Sequence, residues 1–170
     1  MKPSQIQELF KYTFWAFDSV WSAIDQINDN QFTSDLGYSH GSIRNIVVHM
    51  ISSHRRWLAR LNLAPAPPHL AFEAFPSRAS AKAEWDRDRK EWLRYAESLT
   101  QEALDESIPY LIPGRTVDTE TTRWRVLLHL VNHSTDHRSQ ILALLNTSFG
   151  ISTPEQDFII YLWQQHDPRP

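Results

Sequence analysis

Apolar residues recur at helical spacing in four long stretches of the chain. Ile6, Leu9, Phe10, Phe17, Val20, Trp21, Ile24 and Ile27 predict a first helix over 4–28, opened by a Ser4–Gln7 capping box behind Pro3. Asn28 to Gly37 reads as a connection. Ser39-His40-Gly41-Ser42 opens a second helix whose stripe is Ile43, Ile46, Val47, Met50, Trp57, Leu58 and Leu61. Ser80 caps a third helix through Leu99, with Trp85, Trp92, Leu93, Ala96 and Leu99 inward and the mixed-sign run Asp86–Glu91 in solvent. The fourth runs from Trp124 to Phe149, about 40 Å at about 1.5 Å per residue, between a Thr121 or Thr122 cap and Gly150. Its apolar positions form two stripes and leave only a narrow polar wedge at Arg125, Asn132, Asp136 and Ser139, so it must lie between neighbours.

The remaining segments are short. Residues 64–78 hold four prolines and predict a rigid surface loop, with Phe72 and Phe75 able to fold back over the bundle. Thr100 to Ser107 is a capped turn. Ile108–Ile112 and Thr116–Glu120 around Pro113-Gly114 allow a small hairpin, although Pro109 limits its ladder. Thr153-Pro154-Glu155 starts a short last helix, and the tail His166–Pro170 is expected to fray. The fold class is all-α, a four-helix bundle.

Composition narrows the function. A length of 170 residues suits one domain. A net charge of −3 and the lack of a basic stripe interleaved with aromatics argue against nucleic acid. No apolar run reaches membrane-span length and no signal pattern opens the chain, so the expected location is cytoplasmic. With no cysteine, the protein has neither a thiolate ligand nor a thiol nucleophile of its own.

Histidine carries the candidate chemistry. His129, His133 and His137 follow one another in steps of four, which stacks them on one helix face. Two imidazoles at that spacing can close on one metal ion, but a single such pair is more often a packed and hydrogen-bonded one. His49 borders the second helix's stripe beside Ser42, Asn45 and Ser53, facing a groove. With His133 and His137 it offers three neutral nitrogens and an open position, suited to Zn²⁺, Ni²⁺ or Fe²⁺. His129 competes for the same role. His54 falls inside the apolar stripe and reads as core, and His69 as loop. A general base beside the open position is not identified; Glu73, Asp35 and Asp136 qualify by type alone.

Three segments together, LFKYTFWAFDSV, SHGSIRNIVVHM and VLLHLVNHSTDHRSQILALL, resemble the DinB/YfiT-like family over nearly the whole chain. The resemblance implies a single four-helix-bundle domain over 1–170 and a divalent-metal triad of His49, His133 and His137. It favours His137 over His129 because Arg follows the second ligand. Family members are often dimers, and some transfer low-molecular-weight thiols, so a homodimer, a thiol cofactor and a small-molecule substrate are expected. The alternatives are a hydrolase using metal-bound water and a binding bundle without turnover. The chain departs from the family at Ser139, commonly Gly, and at Asp136, often aromatic or His. Arg138 and Gln140 read as structural, with Arg138 suited to pairing with a carboxylate.

Overall fold

The computed structural model describes residues 1–110 and 119–166. Four long helices make the bundle: α1 (Pro3–Ile24), α3 (Ile43–Leu61), α4 (Arg78–Glu97) and α6 (Arg123–Phe149). Helix α1 packs on α4 and α6, and α3 packs on the same two, so the four form a closed square. Short helices α2 (Asp29–Thr33), α5 (Gln101–Asp105) and α7 (Phe158–His166) decorate it. Among the described residues no helix is long and apolar enough to cross a membrane.

The core is aromatic where α1 meets α4. Phe17 stacks on Trp85 at 3.9 Å between centroids and Phe10 on Trp92 at 5.2 Å. Phe14, Ile46, Met50, Leu127 and Leu145 fill the rest, all fully buried or nearly so. Each such side chain contributes about 1.5–3 kcal/mol by leaving water.

Helix ends depart from the sequence reading by a few residues. The first helix stops at Ile24 rather than at 28, because Asn28 accepts from Gln31 N–H and starts α2 as a separate capped turn. The Ser4–Gln7 box is not the cap in use: Pro3 is the first helical residue, and the Gln5 side chain accepts from Lys2 N–H at 2.9 Å. Ser77, not Ser80, caps α4, accepting from Ser80 N–H. Helix α7 starts at Phe158 instead of near Thr153. Residues 64–78 include one 3₁₀ turn, Phe72–Ala74, and Phe75 is folded into the core.

The charged run Asp86–Glu91 is not wholly in solvent. Ala81, Trp85, Asp88, Trp92 and Ala96 share one buried face of α4, so Asp88 lies between two core tryptophans. Strands β1 (Ser107–Tyr110) and β2 (Thr119–Thr122) pair antiparallel with Pro109 opposite Glu120. The expected Pro113-Gly114 turn lies outside the described residues, as do 167–170 of the tail.

The start of α6 is anchored by Arg123, a residue the pattern did not single out. Its guanidinium donates to Leu61 O, Ala103 O, Tyr95 Oη and Glu106 Oε2 at 2.6–2.9 Å, tying together the ends of α3, α4 and α5. At the far end Gly150 takes φ +67°, and the N–H groups of Gly150 and Ile151 return to Asn146 O and Leu145 O. Helix α6 is therefore fixed at both ends, and its histidines inherit that placement.

Candidate metal centre

Helices α3 and α6 pack against each other, and their facing polar edges carry the histidines. His49 Nε2 lies 3.3 Å from His133 Nε2, and His137 Nε2 lies 3.2 Å from the same atom. His49 and His137 thus both bring Nε2 within hydrogen-bond distance of His133 Nε2. A tetrahedral ion bound at 2.0–2.1 Å would hold its nitrogens about 3.3–3.4 Å apart, and the two spacings to His133 lie close to that.

Hydrogen bonding fixes which nitrogen of His137 faces inward. Gln140 lies one turn beyond His137, and its Oε1 accepts from His137 Nδ1 at 2.9 Å, leaving Nε2 with its lone pair aimed at the cluster. The same oxygen accepts from Ser39 Oγ at 2.6 Å, which ties α6 to the loop before α3. Ser53 Oγ approaches His49 Nε2 at 3.4 Å. His133 Nδ1 is buried with no hydrogen-bond partner among the described residues.

Burial suppresses protonation throughout. Desolvation, reinforced by His40 and His137, holds the His49 pKa down at about 4. Desolvation, reinforced by His137 and His54, lowers that of His133 to about 3. Desolvation also lowers that of His137, against opposing contributions from Gln140 and Asp136. Neutral imidazole is the form that binds a metal. Converging lone pairs repel one another unless a cation or protons lie between them, and burial has made the protons costly. The donor set therefore fits a borderline divalent ion.

A fourth ring, His40, was not anticipated. It stacks on His49 with centroids 4.0 Å apart, and one nitrogen each of His40, His49 and His137 lie within 4.8 Å of one another. Gly41 makes this possible: at φ +88° it turns the chain, and an added Cβ would meet Asp35 Oδ1 at 3.2 Å. The turn is held by Asn45 Nδ2 donating to His40 O at 2.8 Å. Helical periodicity has no purchase on a residue in such a turn; the SHG triplet just ahead of a capped helix was its one signal.

The other candidates lie elsewhere. His129 is outside the group of close nitrogen contacts: its ring is edge-on to Trp57 with centroids 5.6 Å apart and 5.7 Å from the ring of His133. His69 is anchored rather than free in its loop, since Ser52 Oγ lies 3.2 Å from its Nδ1. Glu73 is paired with Arg44, and Asp35 accepts from Gly37 N–H. Asp136 is exposed and influences His137 only through space. Arg138 has no carboxylate partner among the described residues; it donates to Gln156 Oε1 and Thr135 Oγ1 and covers the Tyr12 ring.

His54 is core, but as a polar node and not as an apolar filler. Its Nδ1 lies 2.6 Å from Asp88 Oδ2 and its Nε2 3.2 Å from Ser134 Oγ, with the three residues 2%, 1% and 1% exposed. The order Asp–His–Ser is that of a hydrolytic triad, yet Ser134 is sealed in the core, so the chain of bonds joins α3, α4 and α6 without reaching a substrate.

Fold and site together define an all-helical bundle with a histidine cluster between two of its helices. The profile of the DinB family matches residues 1–169, and the chain belongs to that family. It is 24% identical over 162 residues to protein DinB of Bacillus subtilis (strain 168), covering 92% of each chain. Its fold is similar to the crystal structure of a DinB-like protein from Bacillus cereus ATCC 10987, with a TM-score of 0.58 and 19% identity over 86% of this chain and 94% of that one.

Proposed function

We propose that the chain is a divalent-metal-dependent enzyme that joins a small thiol to an electrophilic substrate, with His49, His133 and His137 holding the metal. The observation that carries this reading is that His49 and His137 bring Nε2 to 3.3 and 3.2 Å from His133 Nε2, where burial keeps the rings neutral. His40 stands beside His49 as a further nitrogen donor. A bound ion would supply Lewis acidity, favouring thiolate over thiol at neutral pH, where a free thiol of pKa about 8.5 is mostly protonated. The chain's own contributions are to orient His137 through Gln140, to keep the nitrogens unprotonated, and to supply no competing thiolate of its own. Homodimer formation belongs to the same proposal: Ile159 and Trp163 on α7 are exposed, Trp163 to 62%.

The test begins with elemental analysis of untagged protein purified from its own host. Stoichiometric Zn, Ni or Fe is expected, and loss of metal in His49→Ala, His133→Ala and His137→Ala while far-UV circular dichroism stays helical. His40→Ala separates ligand from neighbour: retained metal leaves the triad as proposed, and lost metal moves the site toward His40. Metal-loaded protein given an electrophile and a panel of cellular thiols should consume thiol in a His133-dependent way. Equal turnover of esters or amides with no thiol present would replace this reading with hydrolysis.

A further inference from the structure

The charge around the cluster runs against the charge of the whole chain. The protein carries −3 overall, yet α3 bears Arg44, Arg55, Arg56 and Arg60 and no carboxylate. Helix α6 bears Arg123, Arg125 and Arg138 against the single carboxylate of Asp136. Three of these cations are matched: Arg44 by Glu73, Arg55 by Glu84 and Arg123 by Glu106. Arg138 is spent on the opposite side of α6, beside Tyr12 and Gln156. Arg56, Arg60 and Arg125 have no carboxylate partner among the described residues. Arg56 donates to the Pro67 carbonyl, Arg60 lies over the Trp57 ring at 5.0 Å, and Arg125 lies over Trp124 at 5.3 Å.

Arg125 lines a cavity of about 320 Å³ together with Trp57, Thr121, Val126 and His129, and Arg60 lies over the ring of its wall Trp57. That volume is enough for a small organic molecule. Trp57 and Val126 supply apolar walls, and Arg125 a fork of donors suited to a carboxylate. The carboxylate nearest in sequence, Glu120, does not neutralise it: neighbouring residues of a strand point to opposite faces, and Glu120 accepts from Ser107 Oγ at 3.0 Å. Burial and the adjacent Arg56 both disfavour charge on Arg60, so an anion there relieves a repulsion already present. The cavity also adjoins the cluster. Its wall His129 is 5.6 Å from Trp57 on one side and 5.7 Å, ring to ring, from His133 on the other.

We propose that this cavity binds an organic acid, its flat apolar body against Trp57 and Val126 and its carboxylate on Arg125 with Arg60 behind, and that such an acid is the electrophilic substrate. The second half rests on the metal-centre reading given above; the first does not. The reactive carbon of the substrate then extends past His129 toward His133, and the arginines select acids over their neutral analogues.

Calorimetric titration with 2-naphthylacetate, its neutral amide and acetate tests the first half. The acid is expected to bind about tenfold or more tighter than the amide, as one charge-assisted hydrogen bond allows, and acetate not measurably. Arg125→Gln, at an exposed position, should erase the preference while leaving metal content unchanged, and Arg60→Gln should reduce it. The acid should bind equally well to metal-stripped protein and to His133→Ala, so this result survives even if the chain holds no metal. Equal affinity for acid and amide, or an unchanged preference in Arg125→Gln, overturns the proposal. For the second half, protein loaded with paramagnetic Ni²⁺ should broaden the proton resonances of bound naphthylacetate, and His133→Ala treated alike should not. Binding without broadening in a protein shown to hold Ni²⁺ would refute the substrate assignment and leave the metal centre standing.

Discussion

Replacing Asp88 by alanine should destabilise the protein more than any other single change at a charged residue, and should do so without removing metal. Asp88 is 1% exposed, and its Oδ2 accepts from His54 Nδ1 at 2.6 Å. Its carboxyl pKa is driven up by desolvation, a cost that the His54 contact partly offsets. Removing it strands a buried imidazole nitrogen and opens a void between Trp85 and Trp92. Breaking a buried pair from one side costs about 3–5 kcal/mol. That is a large share of the roughly 5–15 kcal/mol that stabilises a typical domain. For a chain of this size, with a shift of about 2–4 °C per kcal/mol, Tm should fall by about 6–20 °C. Asp88→Asn keeps the shape and one hydrogen bond and should lose less. Ser134→Ala, at the longer 3.2 Å contact, should cost about 1 kcal/mol. The assay is thermal and denaturant unfolding of each variant with elemental analysis alongside. A change in Tm below about 2 °C for Asp88→Ala would refute the argument that this triad holds three helices together, and loss of metal at unchanged Tm would mean that it serves the site instead.

Three further outcomes follow from the geometry. Gln140→Leu should weaken metal affinity by about 10–100-fold, because His137 loses the acceptor that fixes its tautomer; competition with a chromogenic chelator reads this, and unchanged affinity would contradict it. Metal-free protein should lose stability as pH falls below about 6.5 and continue to lose it toward about 4: the unfolded chain takes up protons at His49 and His133 before the folded one does, so the denaturant midpoint at pH 5 should lie below that at pH 7.5. Light scattering at micromolar concentration should return twice the 19.9 kDa chain mass, and Trp163→Glu should shift it toward the monomer.

Much of the fold was legible because apolar residues repeat at 3.6 over four long stretches, and that period needs no long-range information. The ends were less legible. Ser77 and Ser80 both suit a cap, and what selects Ser77 is how the preceding turn brings Phe75 into the core. Asp88 was misplaced because a run of alternating charge looks solvated, although Trp85, Asp88 and Trp92 step along one face. Within the candidate site, spacing offered His129, His133 and His137 alike and the family resemblance chose His137 over His129, while His49 came from its place at the border of a stripe and from the same resemblance. His40 was not, because only the Gly41 turn, a contact made across the chain, brings it to His49. The unmatched arginines of α3 and α6 were open to inspection, but which of them find partners depends on Glu73, Glu84 and Glu106 in other elements.

The means by which the histidines are held bears on what metal removal should do. In a small zinc-dependent module the ion is the core, and chelation unfolds the chain. Here the cluster sits on two helices that other contacts already fix. Arg123 anchors the start of α6 with four hydrogen bonds, the Gly150 turn closes its end, and the residue after His133 is Ser134, bonded through His54 to Asp88 on α4. Trp85, Trp92, Phe14 and Phe17 are buried in the aromatic core where α1 meets α4. Stripping the metal should therefore leave far-UV circular dichroism unchanged and lower the unfolding free energy only by the binding contribution, about 4 kcal/mol at a ligand concentration a thousandfold above Kd. The matching near-UV signal of the buried tryptophans should persist. Cooperative loss of helicity on adding chelator at 25 °C would show that the metal, and not the bundle, positions the rings, and the preorganised site argued from the 3.2 and 3.3 Å spacings would fall with it.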